Sequence, residues 1–181
     1  MKEKWKIYGV MICMLGSLIG SGCSKQNHMD NAEEKSYQVL IQTEKQYPVI
    51  NKNEVCCDLS ELLDRVLLLE QQLLTYPGGK YASVVKERYL KYLHIVITGE
   101  TKDSKQSDIR LYYDSKTGKI DGKAIETYNA FITNHPGSVT ASILAAYLEI
   151  LDQEQREPGE KTQSFYDSLT HIVEKEIKQS T

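Results

Sequence analysis

Asp58-Leu59-Ser60-Glu61-Leu62-Leu63-Asp64-Arg65-Val66-Leu67-Leu68-Leu69-Glu70-Gln71-Gln72-Leu73-Leu74-Thr75-Tyr76-Pro77-Gly78-Gly79 is the stretch that decides the fold. Asp58, with Glu61 three residues on, has the form of a capping box, in which side chains satisfy the free N–H groups of a helix start. Leu62, Val66, Leu69 and Leu73 then recur at helical spacing. Leu59, Leu63, Leu67 and Leu74 widen that stripe, which predicts a helix buried on more than one side. Tyr76-Pro77-Gly78-Gly79 stops it.

Working outward, a second helix is expected from Lys80 to Ile97, with Val85, Tyr89, Tyr92 or Leu93, and Val96 facing inward. The pattern then recurs. Asp121 caps a helix whose expected inner face is Ile125, Tyr128 and Ile132, and Asn134-His135-Pro136-Gly137 stops it. Ser138 opens another, running to Gln155 with Leu144, Leu148 and Leu151 inward. Pro158-Gly159 breaks the chain, and Phe165, Leu169, Ile172, Val173 and Ile177 mark a closing helix. The two halves echo each other: Pro77-Gly78-x-x-x-Ala82-Ser83 matches Pro136-Gly137-x-x-x-Ala141-Ser142. The expected fold is all-α, with about five helices between Leu59 and Ile177.

The run Lys123 to Ile132 followed by His135-Pro136 resembles the second helix of a tetratricopeptide repeat, with Ala124, Tyr128, Phe131 and Pro136 at the family's spacing. The tryptophan and Leu-Gly of such a repeat's first helix are absent; the one tryptophan is Trp5. Tyr76-Pro77 and His135-Pro136 also resemble repeats of bacterial envelope lipoproteins that act as assembly scaffolds. The resemblance implies helical hairpins stacked as a short array. Between the hairpins a small loop or β-hairpin insertion is expected near 99–121, where Ile109-Arg110-Leu111-Tyr112-Tyr113 precedes the turn residues Asp114 to Lys119. Thr117-Gly118-Lys119 lacks the upstream glycine of a phosphate loop, and Asp114 to Asp121 lacks the alternating ligands of a calcium loop.

The N-terminus reads as an address. Lys2, Lys4 and Lys6 precede an apolar run from Ile7 to Ile19, and small residues follow. Those thirteen residues span about 20 Å as a helix, short of the ~30 Å hydrocarbon core. Leu18-Ile19-Gly20-Ser21-Gly22-Cys23-Ser24 resembles the lipobox of bacterial lipoproteins, with Gly20 where the family prefers leucine. The resemblance implies that Cys23 is lipidated with palmitate-type acyl chains and becomes the mature N-terminus. Gly20 and Gly22 also fit ordinary signal cleavage, which would release a soluble protein. The expected organisation is a signal peptide over 1–22, a lipidated cysteine and flexible tether over 23–36, and a helical domain over 37–181. The tether follows from the near absence of apolar groups between Ser24 and Ser36.

The 181 residues carry 22 basic and 25 acidic side chains, a formal charge of −3, and 40% apolar residues. Removing 1–22 removes three lysines and one glutamate, which takes the charge from −3 to −5. That balance excludes a basic nucleic-acid binder and leaves membrane attachment to the lipid rather than to surface charge. Cys56 and Cys57 fit three arrangements: core-facing thiols at a helix entrance, a strained vicinal disulfide, or a bond to another molecule. They offer too few ligands for a metal site, and no cofactor or small-molecule substrate is implied. His94, His135 and His171 have no serine or thiol nucleophile in a recognisable motif, so the chain reads as a non-enzyme. Twelve tyrosines against two phenylalanines suit a protein- or peptide-binding surface, with Tyr112 and Tyr113 as the candidate contact residues. The expectation is a lipid-anchored, extracytoplasmic interaction module of the cell envelope. The alternatives are an inhibitor or immunity-type protein, or an envelope hydrolase.

Overall fold

The computed structural model describes residues 25–52, 54–101 and 111–180. It divides into two compact units, Met1–Ala32 and Glu33–Thr181. Of the first, only Lys25–Ala32 is described, and it is helical. The signal segment, Cys23 and Ile109 lie outside the described residues.

The described residues form six helices: α1 (Lys25–Gln46), α2 (Leu59–Thr75), α3 (Ala82–Thr98), α4 (Gly122–Asn134), α5 (Val139–Gln153) and α6 (Glu160–Ser180). Between α1 and α2 lies a two-stranded antiparallel hairpin, β1 (Ile50–Asn51) and β2 (Glu54–Val55), with Ile50 opposite Val55. The fold is all-α with one small hairpin. Helix α2 packs on α3, α5 on α4 and α6, and α2 also meets α4, α5 and α6.

Local chemistry sets the boundaries. Asp58 accepts from the Glu61 N–H at 2.8 Å, Asp121 from Lys123 and Ser138 from Ala141 at 2.9 Å, which starts α2, α4 and α5 where the capping residues stand. The two Pro-Gly turns are built alike. Tyr76 and His135 take nearly the same backbone conformation, and the N–H three residues on (Gly79, Ser138) donates back to each carbonyl. Only the first turn needs a left-handed residue, Gly78 at φ 79°.

The core follows the helical stripes. Leu62, Leu63, Val66, Leu69 and Leu73 of α2 are buried, as are Val85, Tyr89, Tyr92, Leu93 and Val96 of α3. On α4 the buried positions are Ala124, Tyr128 and Phe131, and Ile125 and Ile132 are half-buried flanks. On α5 the inward residues are Leu144, Tyr147 and Leu151; Leu148, expected inside, is half-buried. Steps of three and then four residues from Leu144 lead to Tyr147 and Leu151, and they turn Leu148 toward the rim.

One expectation differs from the geometry. The tether expected over residues 23–36 is helical from Lys25, and the helical domain begins before residue 37. Glu33 is buried, Ser36 donates to Gln72, Tyr37 stacks on Tyr81 and Leu40 is buried, so polar contacts, one ring stack and one leucine hold this segment rather than an apolar stripe. The regular hairpin lies at 50–55. The insertion near 99–121 is, in its described part, the expected small loop: a tight turn closed by an antiparallel bridge between Tyr113 and Ile120. Asp114 holds that turn by accepting from the N–H groups of Lys116 and Thr117.

Candidate interaction surface

Buried carboxylates first show what the interior does. Glu33 on α1 accepts from the N–H groups of Lys80 and Tyr81, which open α3. Glu70 on α2 accepts from Val139 and Thr140 N–H at 2.8 Å each and from the Thr140 hydroxyl at 2.6 Å, at the start of α5. Counted from Pro77 and Pro136, Lys80-Tyr81 and Val139-Thr140 are equivalent positions. Each Pro-Gly turn therefore hands an N–H pair that the helix leaves free to a glutamate from another helix. A carboxylate at a helix N-terminus gains from both the free donors and the helix dipole. Glu154 does the same for α6, accepting from Gly159, Lys161 and Thr162 N–H and from the Thr162 hydroxyl. The Thr162 hydroxyl, followed by those backbone donors, lowers its carboxyl to about 2. A Cβ on Gly79 would lie 2.4 Å from Glu33 Oε1, and one on Gly159 2.6 Å from Glu154 Oε1, so these glycines make room for the carboxylates.

A tyrosine cluster closes the other end of α3. The hydroxyls of Tyr113, Tyr147 and Tyr166 meet one another, and both Tyr113 and Tyr147 donate toward the Ile97 carbonyl. Tyr128 donates to the adjacent Val96 carbonyl. Burial pushes the Tyr147 phenol far above its ordinary range, with its tyrosine neighbours adding to the shift. These contacts satisfy carbonyls left free at a helix C-terminus.

Tyr112 and Tyr113, the candidate contact residues, are both half-buried. Tyr113 joins the hydroxyl cluster. The Tyr112 hydroxyl is buried without a hydrogen-bond partner among the described residues, and burial, then Cys57 and Asp58, raise its phenol. Cys56 and Cys57 are free thiols. Cys56 is exposed just after β2, its N–H donating to the Val49 carbonyl at 2.8 Å. Cys57 is half-buried beside the α2 cap, and burial pushes its thiol up to about 12. Among the described residues no three His, Cys, Asp or Glu side chains converge to hold a metal. No described helix is long and apolar enough to cross a membrane.

The open feature of the surface is a groove of about 470 Å³ between the end of α1, β1 and the outward side of α3. Its lining includes Glu44 and the buried Tyr92. Glu44 accepts from Val49 N–H at 3.0 Å and faces Arg65 at 3.9 Å. Sequence reading does not single out this groove: its residues come from three segments, and each alone looks like ordinary solvated surface. The exposed Val84 in the amphipathic α3 is the one local signal. Against protein-family models, curated proteins and solved structures, the chain gives no significant match.

Proposed function

We propose that this protein is a non-catalytic interaction module, held at the extracytoplasmic face of a bacterial membrane through Cys23 and built as a short tetratricopeptide-like stack of helical hairpins. What carries the reading is how the polar groups at the helix ends are committed. Glu33, Glu70 and Glu154 each secure a helix start, and Tyr113, Tyr128 and Tyr147 secure the end of α3. Groups fixed in this way build a rigid scaffold, and none of them faces a cavity as an acid, base or nucleophile. The accessible chemistry lies instead on the groove beside α3.

Two measurements test it. Replacing Cys23 with Ser should leave the protein unprocessed or released; a variant that still fractionates with membranes at mature size removes the anchor. Reversible cross-linking in intact cells, followed by isolation of the protein, should give discrete adducts of defined mass. A protein recovered only as the uncrosslinked chain removes the interaction module.

A further inference from the structure

We propose that the groove between α1, β1 and α3 docks an acidic peptide segment of a partner protein, with an apolar partner side chain seated on Val84 and Ile50. This rests on the interaction-module reading above and names the partner's chemistry.

Charge points to the class of partner. Lys52, Arg88 and Lys91 line the groove, and among the described residues none of them makes an ion pair. Elsewhere on the fold Lys80 is paired with Glu34, Lys86 with Glu174 and Arg156 with Asp152. Of the two carboxylates in the groove, Glu44 is already turned to Arg65 and the Val49 N–H, which leaves Glu87 against three cations. The groove is thus locally positive in a chain whose formal charge is −3. Such contrast steers an acidic partner and fixes its register.

Apolar groups supply the anchor. Val84 is 47% exposed although it lies on a helix whose other large apolar side chains are buried, apart from the half-buried Leu90. The half-buried Ile50 and the buried Tyr92 line the same groove. Apolar groups set beside charged ones allow a few side chains to carry most of the binding energy. A volume of about 470 Å³ suits an inserted side chain and its flanking backbone better than a flat protein face. The concavity and the Glu87 carboxylate both disfavour an anionic membrane surface as the occupant.

The test uses the full chain in a non-ionic detergent and a fluorescein-labelled decapeptide with two central leucines flanked on each side by four glutamates. Fluorescence anisotropy should show saturable binding that weakens as salt rises. A variant carrying Lys52→Glu, Arg88→Glu and Lys91→Glu should bind about tenfold more weakly or worse, from three charge contacts reversed at the groove. Val84→Asp should weaken binding similarly while leaving the urea midpoint unchanged. If the triple variant is unfolded, Lys52→Glu with Lys91→Glu, both at exposed positions, decides the matter by the same criterion. The proposal is overturned by equal affinity for wild type and variants, by no saturable binding, or by equal binding of a peptide with lysines in place of the glutamates. It is also overturned if dihexanoyl phosphatidylglycerol, and not the peptide, binds in a manner that depends on the three cations. In-cell cross-links that persist in the charge-reversed protein would leave the module standing with its docking site elsewhere; loss of all adducts from wild type would remove the module itself.

Discussion

Glu70 offers the sharpest test of how this scaffold is held. Its side chain is 2% exposed and accepts three hydrogen bonds, from Val139 N–H, Thr140 N–H and the Thr140 hydroxyl. The Tyr89 hydroxyl adds a fourth link at 2.9 Å from the Thr140 oxygen, tying α3 into the same network. Glu70→Ala removes every acceptor and strands two buried N–H groups at the start of α5. Each stranded donor costs about 1–3 kcal/mol, and relief from burying a carboxylate offsets part of the loss. The expected net destabilisation is about 3 kcal/mol. Glu70→Gln keeps one acceptor oxygen but aims an amide N–H₂ at a donor, and should cost about 1–2 kcal/mol. Glu126→Ala, at an exposed position of α4, should stay within about 0.5 kcal/mol. Urea denaturation with an unchanged slope gives all three values. A loss under about 1 kcal/mol for Glu70→Ala would refute the view that a cross-helix carboxylate secures this turn.

Further expectations follow from the same geometry. Leu144→Ala, at a fully buried site, should cost about 2–5 kcal/mol, and Leu148→Ala clearly less; equal losses in urea would place α5 in the wrong rotation. The Glu154 carboxyl is lowered in the folded state, so its contribution is complete above the ordinary carboxylate range and fades as pH falls from about 4.5 toward about 2. Thermal unfolding across that window should show the loss, and Glu154→Gln should flatten it; an unaltered pH profile contradicts the capping role. Cys56 should react with a thiol reagent in the folded protein while Cys57 waits for denaturant. At pH 8 a thiol with a pKa of about 12 is ionised about one part in ten thousand. Peptide mapping that finds Cys57 labelled first would overturn this order.

The parts of the fold that can be read from sequence are those with local signals. Asp58, Asp121 and Ser138 sit at the starts of α2, α4 and α5 and make the caps their positions promise, and the two Pro-Gly turns stop helices where they stand. Helix α1 was not legible because it is held by Glu33, Glu34 and Ser36, polar residues that look solvated until their partners at Lys80, Tyr81 and Gln72 are known. The hairpin at 50–55 has strands of two residues each, too short for a period to register. The glutamate caps escape for a related reason: Glu33 and Glu70 reach equivalent N–H pairs from different sequence distances, so no spacing pattern links them. The tyrosines divide the same way. Burial of Tyr89 and Tyr128 follows the helical stripe, whereas the joining of Tyr113 to Tyr147 and Tyr166 depends on how the insertion folds back.

The central claim is that the groove beside α3 receives the partner. A photo-crosslinking residue placed at position 84 in living cells tests it most directly, compared with one at the exposed Ser142 on α5. The account predicts a discrete adduct from position 84 that disappears when Lys52 and Lys91 are changed to Glu, and none from position 142. Adducts from position 142 but not from 84, or an adduct at 84 indifferent to the charge reversal, would contradict it.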